Sequence, residues 1–299
     1  MRRITLLTNP DLCNLHCPLC FLNQRAHATC YGEMPFDVAK AAVERYASKC
    51  DEQGRRVLQE VIPSTMGEPL LYSKFNDLLQ FCRTLGIPMN ITTNGSFPGV
   101  WGSEAYLKEL LEACSDIKVS LLSSEGGGID FEYWCANVRR LLECRHDLQK
   151  TGARVSTVSL QVTLHGENVS DEKSALEWAK NILLFAEDAG IHRIKWNPVV
   201  LLEGVSRTFR DRFEVKEPLL EKLRYEFRSG KLRSSKVKNE GSLFFEKGMS
   251  LCPVGGKCDA CPFEDEVWVW PDGHEDHCPN PERRWVSCRN NDAVCRVIL

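Results

Sequence analysis

An α/β fold built on a parallel sheet is the class this sequence predicts, on three observations. Short apolar runs alternate with amphipathic segments of about ten residues or more. Gly and Pro punctuate the joins between them. The alternation continues through six strand–helix units before the pattern changes near residue 200. Strands separated by helix-length segments pair in parallel through right-handed crossovers. Six units are too few to close an eight-stranded barrel. The 299 residues allow one large domain, or one domain with a small appendix.

The elements follow in order. Ile4 to Leu7 is a first apolar run, broken by Asn9-Pro10. Val38, Ala41, Ala42, Val43 and Tyr46 fall at helical spacing within Phe36 to about Lys49. Val57 to Pro63 reads as a strand, and Phe75, Leu78, Leu79, Phe81 and Cys82 mark a helix ended by Gly86. Ile87 to Thr93 is the next strand, Tyr106 to Cys114 a helix, and Ile117 to Leu122 a strand. A helix over Phe131 to Leu148 leads to a strand over Val155 to Leu164. Lys173 to Ala189 is helical, closed by Gly190, and Ile191 to Val200 is the sixth strand.

Composition describes an ordinary globule: 43% hydrophobic, 26% charged, formal charge −3. That balance argues against a nucleic-acid binder. The basic run from Lys222 to Lys238 is interleaved with Glu221, Glu226 and serines, and reads as a solvated helix face. The amino-terminal apolar run is too short for a signal peptide, and no stretch is long enough to span a membrane. Fifteen cysteines without a secretion signal point to reduced thiols and metal ligation in a cytosol, not to a disulfide scaffold.

The chemistry concentrates at Cys13-Asn-Leu-His-Cys17-Pro-Leu-Cys20, on a loop at the mouth of the first strand. A loop can turn three thiolates toward one region, and thiolates select zinc, copper(I) or iron–sulfur clusters. Zinc normally closes with four protein ligands, and no fourth lies at zinc-finger spacing here. The spacing C-x3-C-x2-C after a first strand resembles the cluster motif of radical S-adenosylmethionine (SAM) enzymes. Leu19 stands where that family usually places an aromatic residue, with Phe21 following one place late on the adenine side.

The resemblance implies a (β/α)6 partial TIM barrel. It also implies a [4Fe–4S] cluster on Cys13, Cys17 and Cys20 whose open iron chelates SAM. An electron from a reductant such as flavodoxin or ferredoxin would then yield a 5′-deoxyadenosyl radical that removes a substrate hydrogen atom. Thr65-Met-Gly67-Glu68-Pro69 resembles the family's G-G-E-P turn for the SAM amino group, with Met66 replacing the first glycine. Thr92-Thr93-Asn94-Gly95 looks like the segment near the ribose. Ser120 matches a position turned toward SAM, and Asn197-Pro198 lies near the adenine contacts. The resemblance covers roughly residues 3 to 200. The expected division is a radical SAM barrel over 1–210 and a small auxiliary-cluster extension over 211–299.

Six cysteines occupy the last fifty residues: Cys252, Cys258, Cys261, Cys278, Cys288 and Cys295. Glu266-Val-Trp-Val-Trp270 into Pro271-Asp-Gly273 is a hairpin signal. The surrounding spacing resembles the SPASM/Twitch extension, whose hairpin carries ligands of a second [4Fe–4S] cluster. That implies Cys258, Cys261 and Cys278 as ligands, with Cys288, Cys252 or an open corner as the fourth position. Cys82, Cys114, Cys135 and Cys144 sit in helical patterns as core residues, and Cys30 and Cys50 have no assignment.

Residues 259 to 282 hold eight carboxylates and no Lys or Arg. Such a field attracts a polycation or is a solvated hairpin tip. The first strand begins at once, with no leader-recognition domain before it, which favours a small-molecule substrate. Together with the acidic field, this resembles enzymes of aminoglycoside antibiotic pathways, above all epimerases of the neomycin type. In that reading Cys252 returns a hydrogen atom to the opposite face of a sugar carbon. The alternatives are a diol-oxidising dehydrogenase, a maturase of ribosomal peptides and a non-catalytic iron–sulfur or zinc module.

Overall fold

The computed structural model describes residues 2–25, 29, 31–64, 66–122, 128–202, 204–244 and 266–276. Its frame is a sheet in the order β7-β6-β5-β4-β3-β2-β1-β8-β9. Strand β1 (Arg3–Leu6) leads through the cysteine loop into the short helix α1 (Phe21–Gln24) and then α2 (Phe36–Ala47). Then come β2 (Glu60–Pro63), α3 (Phe75–Thr84), β3 (Met89–Thr93), α4 (Glu104–Ala113) and β4 (Cys114–Leu121). Helix α5 (Phe131–Lys150), β5 (Thr157–Leu164), α6 (Glu172–Ala189) and β6 (Arg193–Pro198) complete the six expected units. Beyond them lie α7 (Arg207–Phe213), α8 (Glu217–Ser229), β7 (Lys238–Glu240), β8 (Glu266–Val269) and β9 (Glu275–Asp276).

Strands β1 to β8 all pair in parallel, and β9 turns back antiparallel on β8. The sheet is therefore longer than the six strands expected. Strand β7 extends it beyond β6, and β8 adds to the free side of β1. Strand β7 is only three residues long, Lys-Asn-Glu from the last residue of the basic run onward, so it carries no apolar alternation to reveal it. Among the described residues β7 and β8 do not pair with each other, and the parallel run stays open as a partial barrel.

Two faces of this sheet have opposite chemistry. Ile117, Val119 and Leu121 of β4, Val158, Leu160 and Val162 of β5, and Ile194 and Trp196 of β6 are almost fully buried against the helices. Trp196 packs edge-on to Trp178 of α6 and against Phe227 of α8, with ring centroids 6.0 and 5.2 Å away. The alternate residues face the barrel interior and are polar. Asp116, at the amino end of β4, accepts from Thr157 and Ser159 and pairs with Arg193 at 2.5 Å.

Element ends shift for local reasons. Val57 to Gln59 stay outside β2, and Cys114 opens β4 instead of ending a helix, although it is buried as expected. Cys82, Cys135 and Cys144 are buried on helices, and Cys50 is exposed. Helix α6 starts with a capping box between Asp171 and Ser174 and stops at Gly190 in the left-handed region. In the basic run, Lys222 pairs with Glu172 at 2.8 Å and with Glu226 at 3.2 Å. Among the described residues no helix is long and apolar enough to cross a membrane.

Removing the Trp196 side chain opens a large void between the sheet and two helices. Trp196→Ala should lower the unfolding free energy by about 3–5 kcal/mol, read as a shift of the urea midpoint at constant slope.

Candidate active site

The three sequence-predicted thiols lie on the loop after β1, beyond the carboxyl end of the sheet, where loops of parallel α/β folds build their sites. The loop is held from several sides. Leu7 N donates to Val269 O of β8 at 2.9 Å. Asp11 accepts from Arg25 and Thr29. Gln24 of α1 donates to Leu19 O at 2.7 Å and accepts from Leu202 N at 2.9 Å, which ties the loop to the segment after β6. Cys17 is buried, and Cys13 and Cys20 are half-buried.

Burial pushes all three thiols up. For Cys17 it acts together with the nearby charges of Cys20 and Cys13 and carries the value to about 12. The thiols are thus close enough to feel one another's ionisation. Among the described residues, no group of three or more His, Cys, Asp or Glu is gathered tightly enough to hold a single metal ion. Such protonated thiols must release protons when they ligate a metal.

Glu68 fixes the surrounding loops. Its carboxylate accepts from Thr93 Oγ1 at 2.8 Å, Asn94 N at 2.8 Å and Leu70 N at 3.3 Å. Its backbone N donates to Leu12 O at 2.9 Å, and its carbonyl accepts from Asn9 Nδ2 at 2.7 Å. Gly67, at φ +77°, makes this approach possible: a Cβ there would lie 2.4 Å from Asn9 O and 2.5 Å from Leu12 O. The turn therefore packs directly beneath the cysteine loop.

The Glu68 carboxylate faces inward. Glu68 is 1% exposed and its oxygens serve protein donors. The hydroxyl of Thr93, also buried, is likewise spent on Glu68, and Pro69 is buried beside them. Asn94 does reach the loop: its Nδ2 lies 3.7 Å from Cys13 Sγ and donates to Asn14 Oδ1 at 2.9 Å.

Ser120 is half-buried on the interior face, and its carbonyl accepts from Trp134 Nε1 of α5 at 3.1 Å. Asn197 turns its Oδ1 to Ser242 N at 3.0 Å, so it braces the chain after β7. Phe21 packs with Tyr31, Val205 and Trp268 around a buried cluster of Leu7, Met66, Leu202 and Trp270. These apolar groups come from the cysteine loop, the Gly67 turn, the segment after β6 and β8. Asn9 and Gln24 were missed as organising residues; the Asn9-Pro10 pair reads as a mere breaker, and nothing in the sequence marks Gln24.

Cys252, Cys258, Cys261, Cys278 and Cys288 lie outside the described residues, as do Cys30, Cys295 and half of the acidic field. The described carboxylates of that field are engaged. Glu266 pairs with Arg3 at 3.4 Å, and Asp272 with His274 at 2.6 Å. Glu275 pairs with Arg45 at 2.6 Å and accepts from Tyr46 Oη at 2.7 Å. Trp270 stacks on His274 with planes 9° apart.

Burial raises the Glu68 carboxyl from 4.5 to about 7 against the opposing bonds from Asn94, Thr93 and Leu70. A raised folded-state value stabilises the fold fully below the unfolded value and loses that contribution as pH rises through the folded one. In the metal-free chain, stability should therefore fall by on the order of 3 kcal/mol between about pH 4.5 and 7 from this group. Glu68→Gln should flatten that slope in urea titrations at a series of pH values, and an unchanged slope would rule the assignment out.

The comparisons bear on this geometry. The Radical SAM superfamily profile matches residues 10–179. Among solved structures, Streptococcus suis SuiB bound to S-adenosylmethionine superposes with a TM-score of 0.61 at 16% identity, over 98% of this chain and 66% of that one. The same protein bound to precursor peptide SuiA gives 0.60 at 16% identity, over 92% of this chain and 59% of that chain. Native anSMEcpe with bound AdoMet gives 0.59 at 15% identity, over 93% of this chain and 75% of that one. This chain thus spans just under two thirds of SuiB's length. No curated protein sequence matches it. At such identities the likeness establishes the fold, an α/β partial barrel, and the profile covers more than half of the chain: the protein belongs to the radical SAM superfamily.

Proposed function

We propose that the chain is a SAM-dependent radical enzyme whose Cys13, Cys17 and Cys20 hold the [4Fe–4S] cluster, and that it inverts a carbon centre of a cationic amino sugar. The observation that carries the first part is the joining of the cysteine loop, the Gly67-Glu68 turn and Asn94 into one hydrogen-bonded unit. The residues present fit the group. Three soft donors share one loop, and burial and one another's charge raise the Cys17 thiol, a donor set of the kind that holds iron–sulfur clusters. Bound there with SAM, the cluster supplies a 5′-deoxyadenosyl radical that removes a hydrogen atom from a substrate carbon.

The chain's own residues do the rest. The Gly67 turn offers backbone to the SAM amino group, since the Glu68 carboxylate is committed inward. Leu7, Phe21, Met66 and Trp270 form an apolar wall that excludes water from a reactive intermediate. Cys252 donates a hydrogen atom to the opposite face of the carbon radical, leaving an inverted C–H bond and a thiyl. One electron from a reductant such as flavodoxin or ferredoxin and one proton from solvent restore the thiol. The ligands of the second cluster are Cys258, Cys261 and Cys278, with Cys288 as the fourth.

The acidic stretch supports a cationic substrate less than its composition suggests, because the described members pair with Arg3, Arg45 and His274. Polar interior residues and two tryptophans still suit a sugar. A second reading, peptide modification, is favoured by the fold likeness to SuiB, whose structure holds its precursor peptide.

Anaerobic reconstitution tests both. Cys17→Ala should lower iron by about four atoms per chain and abolish 5′-deoxyadenosine. Cys252→Ala should keep SAM cleavage and stop deuterium incorporation from deuterated solvent into an aminoglycoside. Product mass settles the class: inversion in ordinary water leaves it unchanged and oxidation lowers it by about two hydrogens. Turnover of a peptide alone would replace the sugar reading.

A further inference from the structure

The interior face of the sheet is open to solvent while the helix face is sealed. Thr92, Ser120, Gln161, Thr163, Lys195 and Asn197 point inward and are all half-buried, whereas Val119, Val162 and Trp196 between them are almost fully covered. Register places these residues in a level. Thr93 lies opposite Val119, so Asn94 stands beside Ser120; Ser120 lies opposite Gln161, and Gln161 opposite Lys195. Asn94 touches Cys13. Lys195 is thus level with the cysteine loop and three strands away, about 14 Å along the sheet at the usual strand spacing.

Every carboxylate near Lys195 in this interior is committed elsewhere. Asp116 pairs with Arg193 at 2.5 Å, Glu60 with Arg3 at 3.0 Å, and Glu240, opposite Lys195 on β7, with Lys238 at 2.5 Å. Lys118, one level deeper, donates to Asn90 and lies 3.9 Å from Asp116. Among the described residues Lys195 has no hydrogen bond and no ion pair. Burial first, and then the neighbouring Arg193 charge, disfavour its charged form, and the Asp116 and Glu240 carboxylates offset only part of that cost. On the β8 side, Val267 and Val269 join the helix-side core, so Trp268 and Trp270 turn to the interior. The chamber has an aromatic wall at β8 and a polar wall at β5 and β6, a division that suits a ring with one apolar face and an oxygen-rich edge.

We infer that Lys195 is a substrate-contacting, specificity-determining residue that donates to a hydroxyl oxygen of the sugar at the wall opposite the cysteine loop. It rests on the amino-sugar reading above and sets the substrate's orientation. Hydroxyls face β5 and β6, and the substrate ammonium groups are kept away from Lys195 by like charge.

The test compares the reconstituted holoenzyme with Lys195→Met and Lys195→Arg, using neomycin as the probe. Lys195→Met should raise KM about tenfold or more, equivalent to about 1.4 kcal/mol, with kcat changed less than KM. Lys195→Arg should recover most of the loss, and SAM affinity should stay within about twofold in both. An unchanged KM, or SAM affinity falling in parallel, overturns the inference. Should the wild type convert no aminoglycoside, the sugar reading fails separately and Lys195 is read without substrate. Acetylation by acetic anhydride, followed by mass spectrometry, should modify Lys195 with SAM bound. Protection by SAM alone, or no modification with or without SAM, overturns the placement.

Discussion

A carboxylate with 1% of its residue exposed holds the site together. Glu68 draws the ends of two strands and the cysteine loop to one point, through Thr93, Asn94, Leu12 and Asn9. Burying a carboxyl costs free energy unless its oxygens are satisfied, and here three donors satisfy them. The arrangement tolerates no side chain at position 67, since the neighbouring carbonyls occupy that space. Because the thiols hang from this same loop, their spacing depends on a hydrogen-bonded turn that never touches them directly.

The sheet divides the labour. On the helix face, Trp134 fills the space above Gly95 and donates to the Ser120 carbonyl, so core packing reaches the interior level through the backbone. Gly95, at φ +80°, must lack a side chain because a Cβ would meet the Trp134 ring at 2.7 Å. The interior face carries charges that are neutralised pairwise at the bottom of the sheet and left sparser near its carboxyl end. A polar lining of that kind holds water when empty and exchanges it for a hydroxylated ligand at modest cost.

Much of this was legible in the sequence where a local pattern carries the signal. The six strand–helix units, the glycines closing α3 and α6, and the loop position of Cys13, Cys17 and Cys20 follow from periodicity and turn chemistry. The short β7 and the addition of β8 to β1 were not, because each depends on a distant partner strand and not on its own pattern. Glu68 was visible as a motif residue, but its inward hydrogen bonds were not, since sequence places a carboxylate near a site without telling which way it points. Lys195 read only as one residue of the sixth strand; its isolation emerges from the partners its neighbours choose.

The addition of β8 to β1 has a consequence for how the two halves of the chain depend on each other. Arg3, Ile4, Thr5 and Leu6 run in register with Glu266 to Val269, and Leu7 N closes the ladder at Val269 O. The turn beyond β8 then packs Trp270 and His274 against Tyr31, just past the cysteine loop, while Glu275 clasps Arg45 and Tyr46 of α2. The strand that delivers the three thiols is thus flanked on one side by β2 and on the other by a segment some 260 residues later in the chain. A parallel pair this distant in sequence forms late, because loop closure must be met before its contacts contribute. The thiol loop therefore reaches its final surroundings only when β8 and the turn beyond it have docked against β1 and α2.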